Sequence, residues 1–567
     1  MISPRRIPSP RAGHLLSSAA LFALVTGGCG EQFSPSGGAA GSGVSSSATP
    51  AASGGGGATS GSSTGGSSTG STTGGDGGTG GFTASTSGAT TTTTETECVA
   101  CYQGPDGTKG VGACTSGCLE GEVCTGQVLP TVENCGTADD ESCDGVGCTG
   151  DVLWARSIGG SGAIQLPNQI VADPAGATVF VGAFGGNLGV SNSAGGSDIV
   201  IAKTTPDGFA AWTKTFGDAL DQSALGVASN STGPLVVGSF QGSVFGVTSA
   251  GGTDAFLTQL NQDGGVVWSK RYGGAEEQLL KRVAVDSQGN IVVAGSFSGT
   301  INFGPTSLTS QGQSDVVVAK LTPMGDPLWS KRFGDAVLQE AADLTIDKDG
   351  NILLVGVTQG SVDFGGGLLT SAGGNDIFLV KLSANGDHLW SKIFGDSASQ
   401  WGHAVAVNSA GDVHIAATVV GKIQFGSNPL QSAGQSDAAV AKFDSSGNHK
   451  WSALFGDASA QFGKSLAVDG AGNVTFTGNM AGAMTVGGIT LVSAGLDDAF
   501  VVKLAPNGNP AWAKVFGDSN FQVGIAVAAG ADGSAFVGGS YNGSVAFGPT
   551  MFLSAGADDI FLVKLAP

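Results

Sequence analysis

Basic charge is scarce in this 567-residue chain, which has 24 Lys and Arg against 45 Asp and Glu. Charged residues of both signs make up only 12% of the sequence, and the formal net charge is −21. Proteins that bind nucleic acid need a basic surface that neutralises phosphates, so no nucleic-acid partner is expected. The negative charge also opposes direct adsorption to an anionic membrane surface.

Two further features are missing from the long C-terminal part of the chain. All nine Cys lie at or before Cys148, and no apolar pattern with helical spacing follows them. β-branched and aromatic residues instead alternate with small or polar ones, with Gly-rich turn signals between them, which is typical of β-strands. We therefore expect an all-β C-terminal part with its own core, preceded by a small module that disulfides stabilise.

The N-terminus has the pattern of a bacterial export signal. Three Arg precede the apolar stretch 15–25, which is too short to span a membrane, and Thr-Gly-Gly-Cys follows, ending at Cys29. These four residues resemble the lipobox of bacterial lipoproteins, although Thr26 stands where that family usually has Leu. The resemblance implies a signal peptide over 1–28, lipid attachment at Cys29 and, because Gly30 rather than Asp follows, export to the outer membrane or cell surface. An ordinary cleaved signal with an unrelated Cys is the alternative.

Residues 29–97 consist mostly of Gly, Ser, Thr and Ala and contain no Lys or Arg. Such a segment cannot bury enough apolar surface to offset the entropy lost on ordering. The sequence therefore predicts a flexible tether between the lipid anchor and the folded parts of the protein.

A cysteine-rich module over 98–150 follows the tether. An even number of Cys in an exported chain indicates four disulfides, whose pairing the sequence leaves open. Zinc is the rival interpretation, because two Cys pairs have ligand-like spacing, but no His accompanies them. The runs 101–114, 129–135 and 139–145 resemble cysteine-rich modules of bacterial surface proteins, in which the Cys-Asp-Gly element is discussed as a metal site. A solvated acidic loop is the simpler interpretation, and we expect no metal. The eight Cys are Cys98, Cys101, Cys114, Cys118, Cys124, Cys135, Cys143 and Cys148.

A Trp recurs through the rest of the chain in steps of 58, 56 and then four times 61 residues. An Asp that opens a short apolar run recurs in step with it. A fixed period of this length indicates repeated structural units. The Trp series begins the array and the Asp series ends it, which predicts that the array closes on itself. The Trp are Trp154, Trp212, Trp268, Trp329, Trp390, Trp451 and Trp512, and the Asp are Asp198, Asp254, Asp315, Asp376, Asp437, Asp498 and Asp559.

Each unit contains four strand-like runs, which we name a to d; 290–297 and 315–321 are the b and c runs of one unit. Four short antiparallel strands repeated radially form a β-propeller blade. The array opens on a d strand at 152–157 and ends on a c strand at 559–565. Pairing of these two strands completes a seventh blade and removes two exposed sheet edges. The sequence thus predicts a seven-bladed β-propeller over 151–567.

The Gly-Asn-apolar runs at 289–295, 350–357 and 472–478 resemble the SBBP family of seven-bladed propeller repeats. The resemblance covers 151–567 and implies the same closed fold. Within that fold, we expect the repeat Trp to pack between neighbouring blades. The Asp of each recurring Phe-Gly-Asp triplet is expected to be a turn residue.

One recurring polar residue is a candidate for ligand contact. A Gln stands between strand d and the innermost strand a of every unit, so seven amides are expected to ring one mouth of the central channel. Amides both donate and accept hydrogen bonds, which suits sugar hydroxyls or a peptide backbone. The alternative is that each Gln satisfies local backbone groups. The long b-to-c stretches are expected to open onto the same face. The candidates are Gln165, Gln222, Gln278, Gln339, Gln400, Gln461 and Gln522, together with Trp401 and His403, which depart from the repeat.

No phosphate-binding Gly loop, nucleophile elbow or HExxH motif occurs in context, and no catalytic residue is proposed. The leading hypothesis is a non-catalytic monomeric lipoprotein without a cofactor, which binds an extracellular protein or polysaccharide through the Gln-ringed face. A glycan-degrading hydrolase or lyase is the first alternative, because Lys281, Arg282 and Glu340 break the sevenfold symmetry near that mouth. A purely structural envelope protein is the second.

Overall fold

The computed structural model describes residues 102–103, 109–110, 135, 148–162 and 164–567. All of them belong to one unit of the chain, Thr96–Pro567. Seven four-stranded antiparallel sheets, each with the order a-b-c-d, make up most of this part, which confirms the predicted seven-bladed all-β propeller. The predicted signal peptide, Cys29, the tether and six of the eight module Cys lie outside the described residues.

The four strands of each blade have nearly constant lengths. The innermost a strands are Gln165–Ala172, Gln222–Ser229, Gln278–Val285, Gln339–Ile346, Gln400–Val407, Gln461–Val468 and Gln522–Ala529. The b strands are Thr178–Phe184, Pro234–Phe240, Ile291–Phe297, Ile352–Thr358, Val413–Val419, Val474–Met480 and Ala535–Tyr541. The c strands are Asp198–Thr204, Asp254–Leu260, Asp315–Leu321, Asp376–Leu382, Asp437–Phe443, Asp498–Leu504 and Asp559–Leu565. The d strands of blades 1 to 6 are Ala210–Phe216, Val266–Tyr272, Pro327–Phe333, His388–Phe394, His449–Phe455 and Pro510–Phe516, and that of blade 7 is Val152–Ile158.

Blade 7 is built from both ends of the array, as the offset of the Trp and Asp series predicts. Strand d at Val152–Ile158 pairs antiparallel with strand c at Asp559–Leu565, with Ala155 opposite Val563. The amide of Ala566 also donates to the carbonyl of Asp151 at 2.8 Å. The ring is therefore closed by backbone hydrogen bonds, and strand c of blade 7 is not left as an unpaired edge.

The core lies between the blades. Seven clusters of buried apolar side chains each join two neighbouring sheets, and one of them joins blade 7 to blade 1 through Phe536 and Phe180. Because other sheets cover both faces of strands b and c, these strands are buried along nearly their whole length. That is why they read as continuous apolar runs in the sequence.

A repeated polar bridge, in which six of the seven repeat Trp donate to a carbonyl of the next blade, explains the recurring Trp. In blade 4, Trp390 Nε1 donates to the carbonyl oxygen of Ser445 in blade 5 at 3.1 Å. Lys381 Nζ donates to the same carbonyl at 3.3 Å and pairs with Asp347 at 2.8 Å. The Gly before each Trp is equally constrained, since Gly386 has φ 79° and a Cβ there would lie 3.0 Å from the Trp329 ring. The expected packing of Trp between blades is confirmed.

The b-to-c stretches lie on the same face as the d-to-a connections, as expected, because Gln400 at the start of strand a donates to the carbonyl of Val420 at the start of the b-to-c stretch. In blades 2 to 7 each forms a short two-stranded hairpin, and the hairpins of blades 3 and 6 contact the d strands of both their own and the preceding blade. Phe303 of one hairpin stacks on Tyr272 at the end of the preceding d strand, with ring centroids 4.6 Å apart. The hairpins are Ser243–Val244 with Val247–Thr248, Thr300–Phe303 with Thr306–Thr309, Ser361–Asp363 with Leu368–Thr370, Lys422–Ile423 with Leu430–Gln431, Ala483–Val486 with Ile489–Val492, and Ser544–Phe547 with Thr550–Leu553.

The described part of the cysteine-rich module is small. Tyr102–Gln103 pairs with Lys109–Gly110 in a short antiparallel ladder. A disulfide joins Cys135 to Cys148, four residues before the closing strand d, and Cys135 donates its backbone N–H to Asn473 Oδ1 at 3.1 Å. One disulfide of the expected four is therefore confirmed, and the others fall outside the described residues.

Candidate functional site

Every candidate Gln is the first residue of an a strand, and its side chain is buried. Gln400, which has no exposed surface, donates from Nε2 to Asp396 Oδ1 at 2.8 Å and to the Val420 carbonyl at 2.7 Å. Its Oε1 accepts the Asp396 N–H at 3.2 Å, and Asp396 Oδ2 accepts the Lys422 N–H at 2.8 Å. The pair therefore clamps together the end of strand d, the start of strand a and the start of the hairpin.

This placement corrects the expectation of an open ring of amides. The Asp–Gln clamp recurs in five blades, and in four of them the Gln also donates to a backbone carbonyl, whereas Gln339 donates to Thr358 Oγ1. These amides therefore serve local groups and are not accessible to a ligand. Gln165 and Gln278 lack the Asp, because Gly160 and Gly274 stand in its place. Their Nε2 atoms donate instead to the carbonyls of Asn187 and Ser298. The clamp pairs are Asp218 with Gln222, Asp335 with Gln339, Asp396 with Gln400, Asp457 with Gln461 and Asp518 with Gln522.

The clamp carboxylates are held in their charged form. Burial raises the pKa of Asp396, but hydrogen bonds from Ala398 N–H, Lys422 N–H and Gln400 outweigh it and lower the pKa below its usual value. In Asp218 the N–H of Leu220 is the largest cause of the lowered pKa. Five carboxyls at the starts of c strands show the opposite behaviour, with a raised pKa: Asp198, Asp376, Asp437, Asp498 and Asp559. Burial raises the pKa of Asp376, which lies close to Asp396.

The seven a strands surround a central cavity of about 180 Å³. Drug-sized ligands occupy pockets of about 300–1,000 Å³, so the cavity itself is too small for a ligand of that size. Polar side chains cross it from one a strand to the next. Gln169 Oε1 accepts the Val227 N–H at 2.7 Å, and Asp343 Oδ2 accepts the Val405 N–H at 2.8 Å. The candidate binding surface is therefore the mouth above the cavity, where the d-to-a connections meet the starts of the a strands.

One side of this mouth carries charges that neutralise one another. Lys281 Nζ of blade 3 lies 2.9 Å from Glu340 Oε2 of blade 4. Arg282 Nε lies 2.9 Å from Asp343 Oδ1 in the same pair of blades. Arg282 also donates to the carbonyl of Leu225 at 2.9 Å. These side chains form a paired, largely structural network, which we call the charged arc.

The other side of the mouth is apolar, and we call it the apolar arc. Phe521 and Leu496 are 50% and 53% exposed, and their backbones adjoin through a parallel bridge between Phe521 and Asp497. Ile164, in the connection from blade 7 to blade 1, is 45% exposed. Trp401 and Phe462 are half-buried at the second position of the a strands of blades 5 and 6. Five large apolar side chains thus belong to consecutive blades, in or next to the d-to-a connections and the starts of the a strands.

His403 lies below the apolar arc on the innermost strand of blade 5. Its Nε2 lies 3.0 Å from Thr418 Oγ1. Burial and the nearby charge of Lys464 lower its pKa to about 3, so the imidazole is neutral at physiological pH. A base this weak does not suit general acid–base catalysis near neutrality. His403 is therefore best assigned to shaping the mouth.

The sequence reasoning placed Trp401 and His403 at the mouth but missed Phe521, Leu496, Ile164 and Lys464. A signal was available at the position before each Gln, where apolar and polar residues interchange from blade to blade: Ile164, Asp221, Glu277, Leu338, Ser399, Ala460 and Phe521. Such variation at a fixed repeat position indicates a surface residue that the packing of the blades does not constrain. Leu496 carried no comparable signal, because it reaches the mouth from a different loop.

Within the described residues, no group of three or more His, Cys, Asp or Glu side chains is arranged to hold a metal ion. The same part of the chain contains no helix long and apolar enough to cross a bilayer.

No protein-family model matches the chain. A stretch of 122 residues is 25% identical to an uncharacterised WD repeat-containing protein of Acanthamoeba polyphaga mimivirus, covering 20% of this chain and 9% of that protein. The chain thus spans less than a tenth of that relative's length.

Among solved structures, the chain is similar to the Pan2 WD40 domain of Neurospora crassa, at 9% identity and a TM-score of 0.38, over 74% of this chain and 98% of that one. It is also similar to Sqt1 of Chaetomium thermophilum, at 10% identity and a TM-score of 0.37, over 74% and 99% of the two chains. A third similar structure is a glucose dehydrogenase, at 12% identity and a TM-score of 0.32, over 60% and 96% of the two chains. At these identities and TM-scores the neighbours do not indicate a function for this chain.

Proposed function

We propose that the protein is a non-catalytic recognition module that binds an extended segment of an extracellular protein at the apolar arc. The observation that carries this proposal is the exposure of Phe521, Leu496 and Ile164, each about half exposed, in blades consecutive with those of the half-buried Trp401 and Phe462. Large apolar side chains grouped on a surface mark interaction sites, and aromatic residues dominate the energy of such contacts.

The chemistry of the mouth supports recognition over glycan cleavage. Glycosidases need one carboxyl that donates a proton and a second that is free to act as base or nucleophile. Glu340 and Asp343, both on strand a of blade 4, each lie 2.9 Å from a cation, and Asp497 accepts a hydrogen bond from Asn479. His403 is neutral and bonded to Thr418. We therefore place the enzyme hypothesis second and polysaccharide recognition as an outcome of the binding test.

We further propose that the propeller is displayed at the bacterial outer membrane by a lipid on Cys29, with residues 29–97 as tether. The support is the pattern of basic residues, apolar stretch and Thr-Gly-Gly-Cys in the first 29 residues. Labelling of the expressed protein with a radioactive fatty acid is expected to mark the wild type and not Cys29→Ser. Equal labelling of both would contradict the anchor and leave the binding proposal unaffected.

The binding proposal is tested by capture from cell envelopes and, in parallel, on a glycan array. Phe521→Asp is expected to lose the captured protein at least tenfold, because a charge in the arc must be desolvated for contact. The matched control is Met324→Asp, since Met324 is 61% exposed in a c-to-d turn on the opposite face. Both variants are expected to melt like the wild type, because exposed substitutions change stability by about 0.5 kcal/mol or less.

Equal capture by Phe521→Asp and Met324→Asp would contradict the apolar arc as the site. Binding to a glycan that Phe521→Asp abolishes, without any captured protein, would replace the protein ligand by a polysaccharide.

A further inference from the structure

The seven a strands carry a second repeated contact that is not part of the clamp. Each has a β-bulge after its third residue, so that its fourth residue has no partner on strand b. In two blades the side chain of this bulged residue contacts the second residue of the next a strand. Asn168 Nδ2 lies 3.3 Å from Ser223 Oγ, and Lys281 Nζ lies 2.9 Å from Glu340 Oε2.

The residue types at these two positions match in most blades. In five of the seven pairs the two residues are both polar or both apolar. In a sixth pair the bulged residue is His403, whose Nε2 lies 3.0 Å from Thr418 Oγ1. The seventh pair combines a cation with an aliphatic residue. The pairs, bulged residue first, are Asn168 with Ser223, Leu225 with Leu279, Lys281 with Glu340, Ala342 with Trp401, His403 with Phe462, Lys464 with Val523, and Ile525 with Leu166.

Lys464 thus occupies in blade 6 the position that Lys281 occupies in blade 3. Val523 stands where Glu340 would be needed to pair with it. Among the described residues no carboxylate lies within 4.0 Å of its Nζ, which instead stands 5.9 Å from the centre of the Phe462 ring. The nearest acid by electrostatic influence, Asp497, accepts a hydrogen bond from Asn479. Burial lowers the pKa of Lys464, whose side chain nevertheless keeps part of its surface exposed to solvent.

We propose that Lys464 is the anchor for a carboxylate of the ligand, which takes the place that Glu340 holds beside Lys281. The inference rests on the proposed function, since the carboxylate would enter beneath the apolar arc. It defines the recognised segment as an extended peptide with an acidic side chain flanked by apolar ones. Phe462, Phe521 and Leu496 would contact the flanking residues.

A peptide is favoured over an acidic polysaccharide by the neighbouring groups. Sugar hydroxyls need several free hydrogen-bonding partners, whereas His403 and Asp497 are already bonded to Thr418 and Asn479. The half-buried ring of Phe462, whose centre lies 5.9 Å from Lys464 Nζ, suits an apolar side chain of a peptide.

The probes for the experiment are the synthetic peptide acetyl-Leu-Phe-Glu-Phe-Leu-amide and its counterpart with Gln in place of Glu. Binding to the full chain is measured by calorimetry and by fluorescence of Trp401. The Glu peptide is expected to bind about 10- to 100-fold more tightly than the Gln peptide, as befits a hydrogen-bonded charge pair. Raised salt is expected to weaken the Glu peptide alone.

Two variants test the site, one by removing the cation and the other by supplying a carboxylate from within the protein. Lys464→Met removes the cation and is expected to bring both peptides to the same weak affinity. Val523→Glu rebuilds the Lys281–Glu340 arrangement inside the protein, so that the internal carboxylate is expected to displace the Glu peptide while the fold is retained. The control Lys422→Met removes an exposed cation on a hairpin and is expected to leave both affinities unchanged.

Equal affinity of wild type for the two peptides, or an unchanged preference for Glu in Lys464→Met, would overturn the inference. If Phe521→Asp still abolished binding in that case, the apolar arc would stand as the site without its carboxylate pocket. Binding of an oligogalacturonate that depends on Lys464, with neither peptide bound, would replace the peptide by an acidic glycan.

Discussion

The same side-chain type behaves differently in the frame of the propeller and at its mouth. In the frame, Lys381 is paired with Asp347 at 2.8 Å and bonded to the next blade, and equivalent pairs recur in blades 3 to 7. At the mouth, Lys464 occupies a position that is Asn, Leu, Lys, Ala, His or Ile in the other blades. Repetition therefore marks residues that hold blades together, and departure from it marks residues free to serve recognition.

The Gln series shows what this difference teaches. Seven identical residues were candidates for ligand contact because they stand near the channel, yet all seven are buried within local turns. A position that has to satisfy backbone groups in each blade stays constant, whereas a ligand without sevenfold symmetry needs unlike groups side by side. The apolar arc and the charged arc provide such unlike groups on the two sides of the mouth.

The largest expected effect comes from deleting the strand that closes the propeller ring. Deletion of residues 559–567 removes strand c of blade 7, so that Val152–Ile158 loses its pairing partner. The expected result is loss of cooperative unfolding and of native circular dichroism, because blade 7 then exposes two sheet edges and half of two interblade cores. Deletion of residues 1–97 is the control and is expected to leave the melting temperature of the propeller unchanged. A truncated chain that melts like the wild type would contradict closure.

The next prediction compares the same Lys-to-Met substitution in the interblade contacts and at the mouth. Lys381→Met leaves Asp347 buried without its cation and is expected to destabilise the fold by about 3–5 kcal/mol. Lys464→Met removes a cation that has no partner and is expected to be neutral or stabilising. Urea unfolding of both variants measures the difference. Similar losses for the two would mean that Lys464 has a structural partner after all.

The smallest expected effect concerns two neighbouring carboxyls with opposite shifts. Asp396 has a lowered pKa, so its stabilising bonds are present above the ordinary value of 3.8 and are lost as the pH falls through the folded value. Asp376 has a raised pKa, so its contribution is present below 3.8 and is lost as the pH rises through the folded value.

The two Asn variants are therefore expected to show opposite pH trends. Asp396→Asn should cost most at pH 7, by about 1 kcal/mol for a hydrogen bond of this kind, and least near pH 3. Asp376→Asn should cost more near pH 3 than at pH 7. Denaturant midpoints of both variants and wild type at the two pH values measure these trends, and parallel trends would contradict the assignment.

Much of the frame could be predicted because it is local and repeated. The Gly before each Trp needs a positive φ, and the Asp that opens each c strand precedes a run buried on both faces, so both signals survive in every blade. The hairpins were missed because their strands are short and polar and gain stability only from packing on strand d. The β-bulges were missed because a bulge depends on the register with strand b, which no single strand encodes.

The sequence by itself determined the number of blades, the order of their strands and the closure of the ring. The same local preferences occur in each of the seven repeats, and the offset between the Trp and Asp series leaves one blade to be completed from both ends of the array. Only the tertiary structure decided which residues at the mouth are free. Burial and partners depend on the neighbouring blade, so the Gln became clamps, Lys281 found Glu340, and Lys464 was left facing Val523.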